Sequence, residues 1–256
     1  MRRATTFAIA ALLFCAIGTL AHGDGEGLAC GSGESFDQVT PPVLPPGWTA
    51  FNAIDPDGIL WQTSDSGDPS PPAIDLPNSA WVNDPDTISD KYLYWTPGFI
   101  NSPEHAVLIF ANNYALEEGF DGGVLEISVD GGPFEDIITA GGIGIGYNGM
   151  ISTCCGNPLA GRQAWTGNSG GFVLDGVDLK AFVGHTISLR WRMGSDSSGS
   201  GGGWRIDDIS IQCEGPTPTP PPTPPITPTP TPTATPRPVP TPRLRPTPPP
   251  RPTPSR

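Results

Sequence analysis

A chain of 256 residues with 26 acidic and 13 basic side chains carries a formal charge of −13, and its 33 glycines and 34 prolines disfavour long helices. All the acids lie between residues 23 and 215, where only six basic residues accompany them, so that segment has a net charge of −20. Such a field repels nucleic acid and anionic membranes and draws in divalent cations, which sets nucleic-acid binding aside.

Residues 1–22 read as a secretory signal peptide. Arg2 and Arg3 form a positive start, residues 7–20 are apolar, and Ala21 or Gly23 offers a small residue for cleavage. The apolar run is too short for a membrane span, and Phe14 stands before Cys15, where a lipoprotein signal needs a small residue. Residues 23–215 suit one folded domain. Residues 216–256 alternate proline with threonine, carry five arginines and have almost no apolar side chains. They cannot build a core and are expected to be a disordered, extended stalk reaching roughly 130 Å at about 3.1 Å per residue. The expected location is outside the cell, with no membrane insertion after signal cleavage.

Within the domain, helical periodicity is nearly absent. Strand-like runs fall at 48–53, 59–63, 91–95, 106–111, 124–129, 134–139, 171–174, 186–193 and 203–212, separated by turn signals such as Asp55-Pro-Asp-Gly and Asp130-Gly-Gly. The runs at 124–129 and 134–139 form the clearest hairpin, with Gly131 and Gly132 permitting the turn. A helical turn is expected within 178–184. In the last hairpin, Ile187, Leu189, Trp191 and Met193 alternate with Ser188, Arg190 and Arg192. A Gly/Ser loop at 195–203 follows, free to vary, and Trp204, Ile206, Ile209 and Ile211 make the partner strand. The fold class is all-β, an antiparallel β-sandwich of jelly-roll type.

Four cysteines remain after signal removal. Export permits disulfides, and Cys30 and Cys213 bracket the domain, so Cys30–Cys213 is the expected bridge. Cys154 and Cys155 are then a vicinal pair or two free thiols. A thiolate metal site is the alternative, though no C-x-x-C spacing supports it.

Several blocks carry a resemblance: "ESFD" followed by "PPGWT", then "GGVLEISVDGG", "AWTGNSGG", "VDLKAFVGHTISLRWRMGSD" and "GGGWRIDDISI". Over residues 34–211 the domain resembles secreted jelly-roll modules of the MAM and galactose-binding-like type, as appended to bacterial metallopeptidases of the immune inhibitor A kind. No peptidase domain is present in the sequence, so the resemblance implies a module without that catalytic partner. It also implies a structural calcium shared by an acid near the first strand and one in the last, here Asp37 and Asp208. Asp207 and Asp208 are adjacent acids in an apolar run, costly unless a cation or donors compensate them. Calcium needs 6–8 oxygens, so backbone or further acids must help. Otherwise one acid pairs with Arg190, Arg192 or Arg205. Asp84, Asp86 and Asp90 form a second cluster, read as a solvated turn, and Asp121 is a third candidate.

Gly167-Asn-Ser-Gly-Gly resembles the nucleophile segment of chymotrypsin-like proteases, but a nucleophilic Ser169 needs a positioned histidine, and only His22, His105 and His185 exist. No zinc-type histidine motif, phosphate loop or dinucleotide fingerprint occurs. Glycan modules stack sugars on exposed aromatics. Trp48, Trp95, Trp191 and Trp204 read as core, and Trp61, Trp81 and Trp165 lie beside turns with polar neighbours, making them candidate ligand contacts that Tyr92, Tyr94 and Tyr114 could assist. The expected role is non-catalytic recognition of an extracellular glycan or protein surface, with calcium as a structural ion. A β-sandwich hydrolase, hiding two carboxylates among 26, and a purely structural surface protein are the alternatives.

Overall fold

Alternating side chains become strands close to where the sequence places them. The computed structural model describes residues 29–102 and 105–214; the expected signal peptide and the proline–threonine stalk lie outside the described residues. The strands are β1 (Gly33–Glu34), β2 (Trp48–Ile54), β3 (Gln62–Ser64), β4 (Ser79–Val82), β5 (Ser89–Phe99), β6 (His105–Ala115), β7 (Gly122–Val129) and β8 (Glu135–Asp136). A helical turn, α1 (Ile137–Ala140), precedes β9 (Gly149–Met150), β10 (Gln163–Ala164), β11 (Val173–Asp178), β12 (Thr186–Ser195) and β13 (Gly203–Glu214). A 3-10 turn at Lys180–Phe182 sits where the sequence indicates one.

Two antiparallel sheets make a β-sandwich. One has the order β2-β5-β12-β7-β8, and the other β11-β6-β13-β4-β3 with β1 alongside β13. The expected hairpin of β7 with β8 is present, pairing Glu126 with Asp136 and Ile127 with Glu135. The rest of the run at 134–139 turns helical instead. Asp136 caps α1 by accepting the Ile138 N–H at 3.0 Å, and Gly141 ends it at φ 118°.

One pairing expected from the sequence is absent. β12 and β13 are not hairpin partners but lie in opposite sheets: β12 runs between β5 and β7, and β13 runs between β6 and both β4 and β1. Period-2 alternation says which face of a strand is buried, not which strand lies beside it. Both strands bury their apolar sides in the same core, from opposite walls.

That core is a train of rings. Trp48 stacks on Trp95 at 5.2 Å and meets Trp191 at 5.6 Å; Phe110 touches Trp191 at 5.8 Å and Trp165 at 5.7 Å. Trp165 then meets Trp204 at 5.5 Å, which meets Trp61 at 5.1 Å. Six of the seven tryptophans are therefore interior. This corrects the reading of Trp61 and Trp165, each only 1% exposed. Their neighbours in sequence are polar, but the chain enters from its loops and turns both rings inward. The Trp165 indole donates to Asp175 Oδ2 at 2.7 Å, which satisfies its polar edge. Cys30 and Cys213 are bonded to each other, as are Cys154 and Cys155.

The outer face of β7 is also covered. Val124, Ile151, Leu159 and Ala164 form a small second core beneath the segment carrying β9 and β10. The outer face of β2, β5 and β12 stays open.

Candidate functional site

Register places the open face residue by residue. Phe51 on β2 pairs with Tyr92 on β5, which pairs with Arg192 on β12. One pleat along, Thr49 pairs with Tyr94, Tyr94 with Arg190, Arg190 with Glu126, and Glu126 with Asp136. Opposed residues share a face, so two rows of aromatic and charged side chains cross the sheet. Phe51 is 56% exposed and forms the apolar end.

The charged end is locked. Glu126 is 3% exposed and accepts from three arginines: Arg162, Arg190 through Nε at 2.6 Å, and Arg192 through Nη1 at 3.2 Å. Arg192 also grips Asp90 with two bonds of 2.8 and 2.9 Å, and Arg162 reaches Asp136 at 2.7 Å. The Tyr92 hydroxyl donates to Asp90 at 2.7 Å. Burial alone would raise the Glu126 carboxyl, but Arg162 and Arg190 more than offset it and hold it below the usual range. Burial, with Asp90 adding to it, pushes the Tyr92 hydroxyl up to about 12. The Arg190 guanidinium lies 4.5 Å from the Tyr92 ring centre and 4.4 Å from that of Phe134. Three arginines face three acids, so this patch is neutral on a domain of net charge −20.

Sequence reasoning weighed Tyr92 and Tyr94 only as helpers and missed Phe51. The available signal was parity. Tyr92 and Tyr94 alternate with the buried Leu93 and Trp95 along β5, as Arg190 and Arg192 alternate with the buried Trp191 along β12. Of the three tryptophans proposed as ligand contacts, only Trp81 keeps an exposed fraction. It lies on β4 in the other sheet, where its indole donates to the Asp68 carbonyl at 2.9 Å. Asp68 also lines a polar cavity of about 390 Å³ with Asn113, Asn168, Gly170 and Gly202.

The acid pair opens a β-bulge made by Asp208 and Ile209. β13 faces β6 in regular register up to Asp207 opposite Ala111 and resumes at Ser210 opposite Ile109, leaving two residues against one. Asp208 takes φ 46° within it. Asp207 is fully buried; its oxygens accept from the N–H groups of Asp208 at 2.9 Å and Ile74 at 3.0 Å. Carboxylate oxygens of Asp75, Asp207 and Asp208 lie within 4.8 Å of one another. Burial, then Asp208 and Asp75, pushes Asp207 up to about 8; burial, then Asp75 and Asp37, raises Asp208. The three acids whose oxygens cluster are Asp75, Asp207 and Asp208; Asp37 is not among them and only adds its charge to the shift of Asp208, and Asp75 is a member that sequence reasoning missed. Asp37 accepts the Asn78 N–H at 3.2 Å.

The expected alternative, an arginine partner for this pair, does not form among the described residues. Arg190 and Arg192 are held by Glu126 and Asp90, and Arg205 spends its donors on the carbonyls of Ser64, Ser66, Gly67, Pro69 and Pro72 and on Ser79 Oγ. The Ser169 hydroxyl contacts the Tyr114 backbone and Asn113, and no histidine is among its partners. His105 and His185 lie against Asp178 and Asp130, and His22 lies outside the described residues.

No protein-family model and no curated protein sequence matches the chain. Solved structures do match. The K1 cleaved adhesin domain of Lys-gingipain from Porphyromonas gingivalis W83 aligns with a TM-score of 0.43 at 17% identity, over 72% of this chain and 98% of that one. TmCBM61, solved in complex with β-1,4-galactotriose, gives 0.40 at 13% identity, over 66% of this chain and 90% of its own. The CBM22-1 xylan-binding domain of Paenibacillus barcinonensis Xyn10C gives 0.39 at 13% identity, over 73% and 98%. At such depth of likeness, the ligands named for those proteins remain theirs.

Proposed function

We propose that the chain is a secreted, non-catalytic recognition module that binds a neutral saccharide on the open face of β2, β5 and β12. The observation that carries this reading is the charge-balanced row of Phe51, Tyr92, Tyr94 and Phe134 beside a fixed arginine–carboxylate lattice. Sugar rings present apolar C–H faces that pack on aromatic rings, and hydroxyls that pair with preset donors and acceptors. The acids on this face are each held by arginine, which leaves none free to act as a general acid or base. The blocks resembling MAM-like modules fit the same extracellular setting.

The test is affinity electrophoresis and calorimetry against a panel of soluble xylan, galactan, mannan and β-glucan. Phe51→Ala and Tyr92→Ala are expected to weaken binding to a positive polysaccharide by at least about tenfold, the scale of one lost aromatic contact. A panel with no binder, or a binder indifferent to both changes, would turn the face into a protein-docking surface and sink the saccharide reading.

Calcium fits the bulge corner chemically. Asp75, Asp207 and Asp208 bring hard oxygen donors within 4.8 Å of one another, none in an ion pair among the described residues, with Asp37 nearby as a further acid, and the two N–H groups on Asp207 fix the turn that presents Asp208. Calcium is expected to raise the melting midpoint, and the Asp75→Asn/Asp208→Asn variant to lose part of that rise. A variant that responds to calcium just as the parent does would rule this corner out.

A further inference from the structure

We propose that Asp84, Glu117, Asp121 and Asp196 form a second site for a divalent cation of calcium's class, where the segments after β4, β6 and β12 meet the start of β7. It shares no residue with the bulge corner and does not depend on the saccharide face.

Carboxylate oxygens of Glu117, Asp121 and Asp196 lie within 4.8 Å of one another, and the like charge of Asp84 faces Asp121. Asp84, Asp121 and Asp196 are at most 4% exposed. Of the acids expected on a solvated turn, Asp86 is exposed but Asp84 and Asp90 are buried. One oxygen on each of Asp84, Asp121 and Asp196 is anchored by the backbone of the Gly/Ser loop. Asp196 N–H donates to Asp121 at 2.6 Å, Gly201 N–H to Asp84 at 2.9 Å, and Ser198 N–H to Asp196 at 2.8 Å. Asp84 Oδ1, Glu117 Oε2 and Asp121 Oδ2 are buried with no hydrogen-bond partner. The loop expected to be free to vary is thus pinned around these acids. Gly199, at φ 84°, presses so near Glu117 that a Cβ there would collide with its carboxylate.

No lysine, arginine or histidine forms an ion pair with any of the four among the described residues. Unneutralised carboxylates at this burial are strongly disfavoured. A divalent cation would neutralise these carboxylates and supply partners for the three orphaned oxygens. The donors are all oxygen, without histidine or cysteine, which selects a hard ion. Magnesium retains several waters and demands a near-ideal octahedron, whereas calcium accepts irregular carboxylate cages of 6–8 oxygens. The four acids come from both sheets, so the ion would clamp β4 and β6 to β7 and β12.

The test uses the full chain carrying Asp75→Asn/Asp208→Asn, which removes the bulge corner from the readout. In that background, calcium at a hundred times its Kd is expected to raise the melting midpoint by about 5–10 °C over EDTA. Adding Asp121→Asn or Glu117→Gln should abolish the rise. Asp121→Asn should also melt above its parent in EDTA and below it in calcium, an inversion that a purely structural acid would not produce. No calcium response in the Asp75→Asn/Asp208→Asn background, or a rise that survives both added substitutions, would overturn the site. If Asp121→Asn does not fold, Glu117→Gln decides alone.

Discussion

Replacing Glu126 by alanine is expected to destabilise the domain by about 3–5 kcal/mol, the cost of removing one partner from a buried ion cluster. Glu126 is 3% exposed and sits among Arg162, Arg190 and Arg192, whose side chains are 24, 15 and 18% exposed. Without it, Arg190 loses its only carboxylate in the network, while Arg192 keeps Asp90 and Arg162 keeps Asp136. The loss falls mainly on one uncompensated guanidinium next to Tyr92 and Phe134. Glu126→Gln retains the shape and part of the hydrogen bonding, so it should cost less than alanine. Denaturant unfolding gives both values, and the midpoint should move while the slope stays constant. The cost should also persist at high salt, because buried pairs are screened much less than exposed ones. A loss below 1 kcal/mol would mean that the cluster behaves like an ordinary surface pair, and the case for a rigid lattice on the open face would go with it.

Much of this arrangement was legible along single strands. β12 alternates cleanly, and the structure buries Ile187, Leu189, Trp191 and Met193 completely. The bulge was legible too, as a phase change. Trp204 and Ile206 sit on even positions and Ile209 and Ile211 on odd ones, all within the core, so the acid pair between them has to absorb one extra residue. Pairing across strands was not legible. A loop of glycine and serine after β12 suggests a hairpin, and nothing local says that the chain crosses to the other sheet. β4 was overlooked because four residues, Ser79–Val82, are too few to display a period. Orientation of rings at strand ends failed for a similar reason, since Trp61 and Trp165 have polar sequence neighbours but aromatic spatial ones. The acidic cluster at Asp84, Glu117, Asp121 and Asp196 was beyond local reasoning because its acids lie in three different connections, β4–β5, β6–β7 and β12–β13. Only topology brings them together.

Removing both halves of the Cys30–Cys213 bridge is expected to cost about 5 kcal/mol, as large as any single change in the chain. The bond closes a loop of 183 residues, nearly the whole domain, and the entropy that a cross-link takes from the unfolded chain grows with loop length. The folded segment it fastens is otherwise held by a short ladder and by Ala29 and Phe36, both fully buried in the core. β1 is two residues long, and the flanking backbone is tied by Ala29 N–H to Phe99 O at 2.8 Å, Gly31 N–H to Ile211 O at 2.8 Å and Ile211 N–H to Ser32 O at 2.9 Å. A Cys30→Ala/Cys213→Ala variant should therefore unfold at markedly lower denaturant concentration. Cys154–Cys155 provides the internal control. It joins adjacent residues, closes no loop of chain, and should give no comparable loss when both are replaced by alanine. Reducing agent added to the parent should reproduce the cost of the Cys30→Ala/Cys213→Ala variant and add nothing to that variant. If the two double substitutions cost the same, loop closure is not what the long bridge contributes. The hold on β13 would then rest on the β-ladder itself and on the ion proposed at Asp75, Asp207 and Asp208.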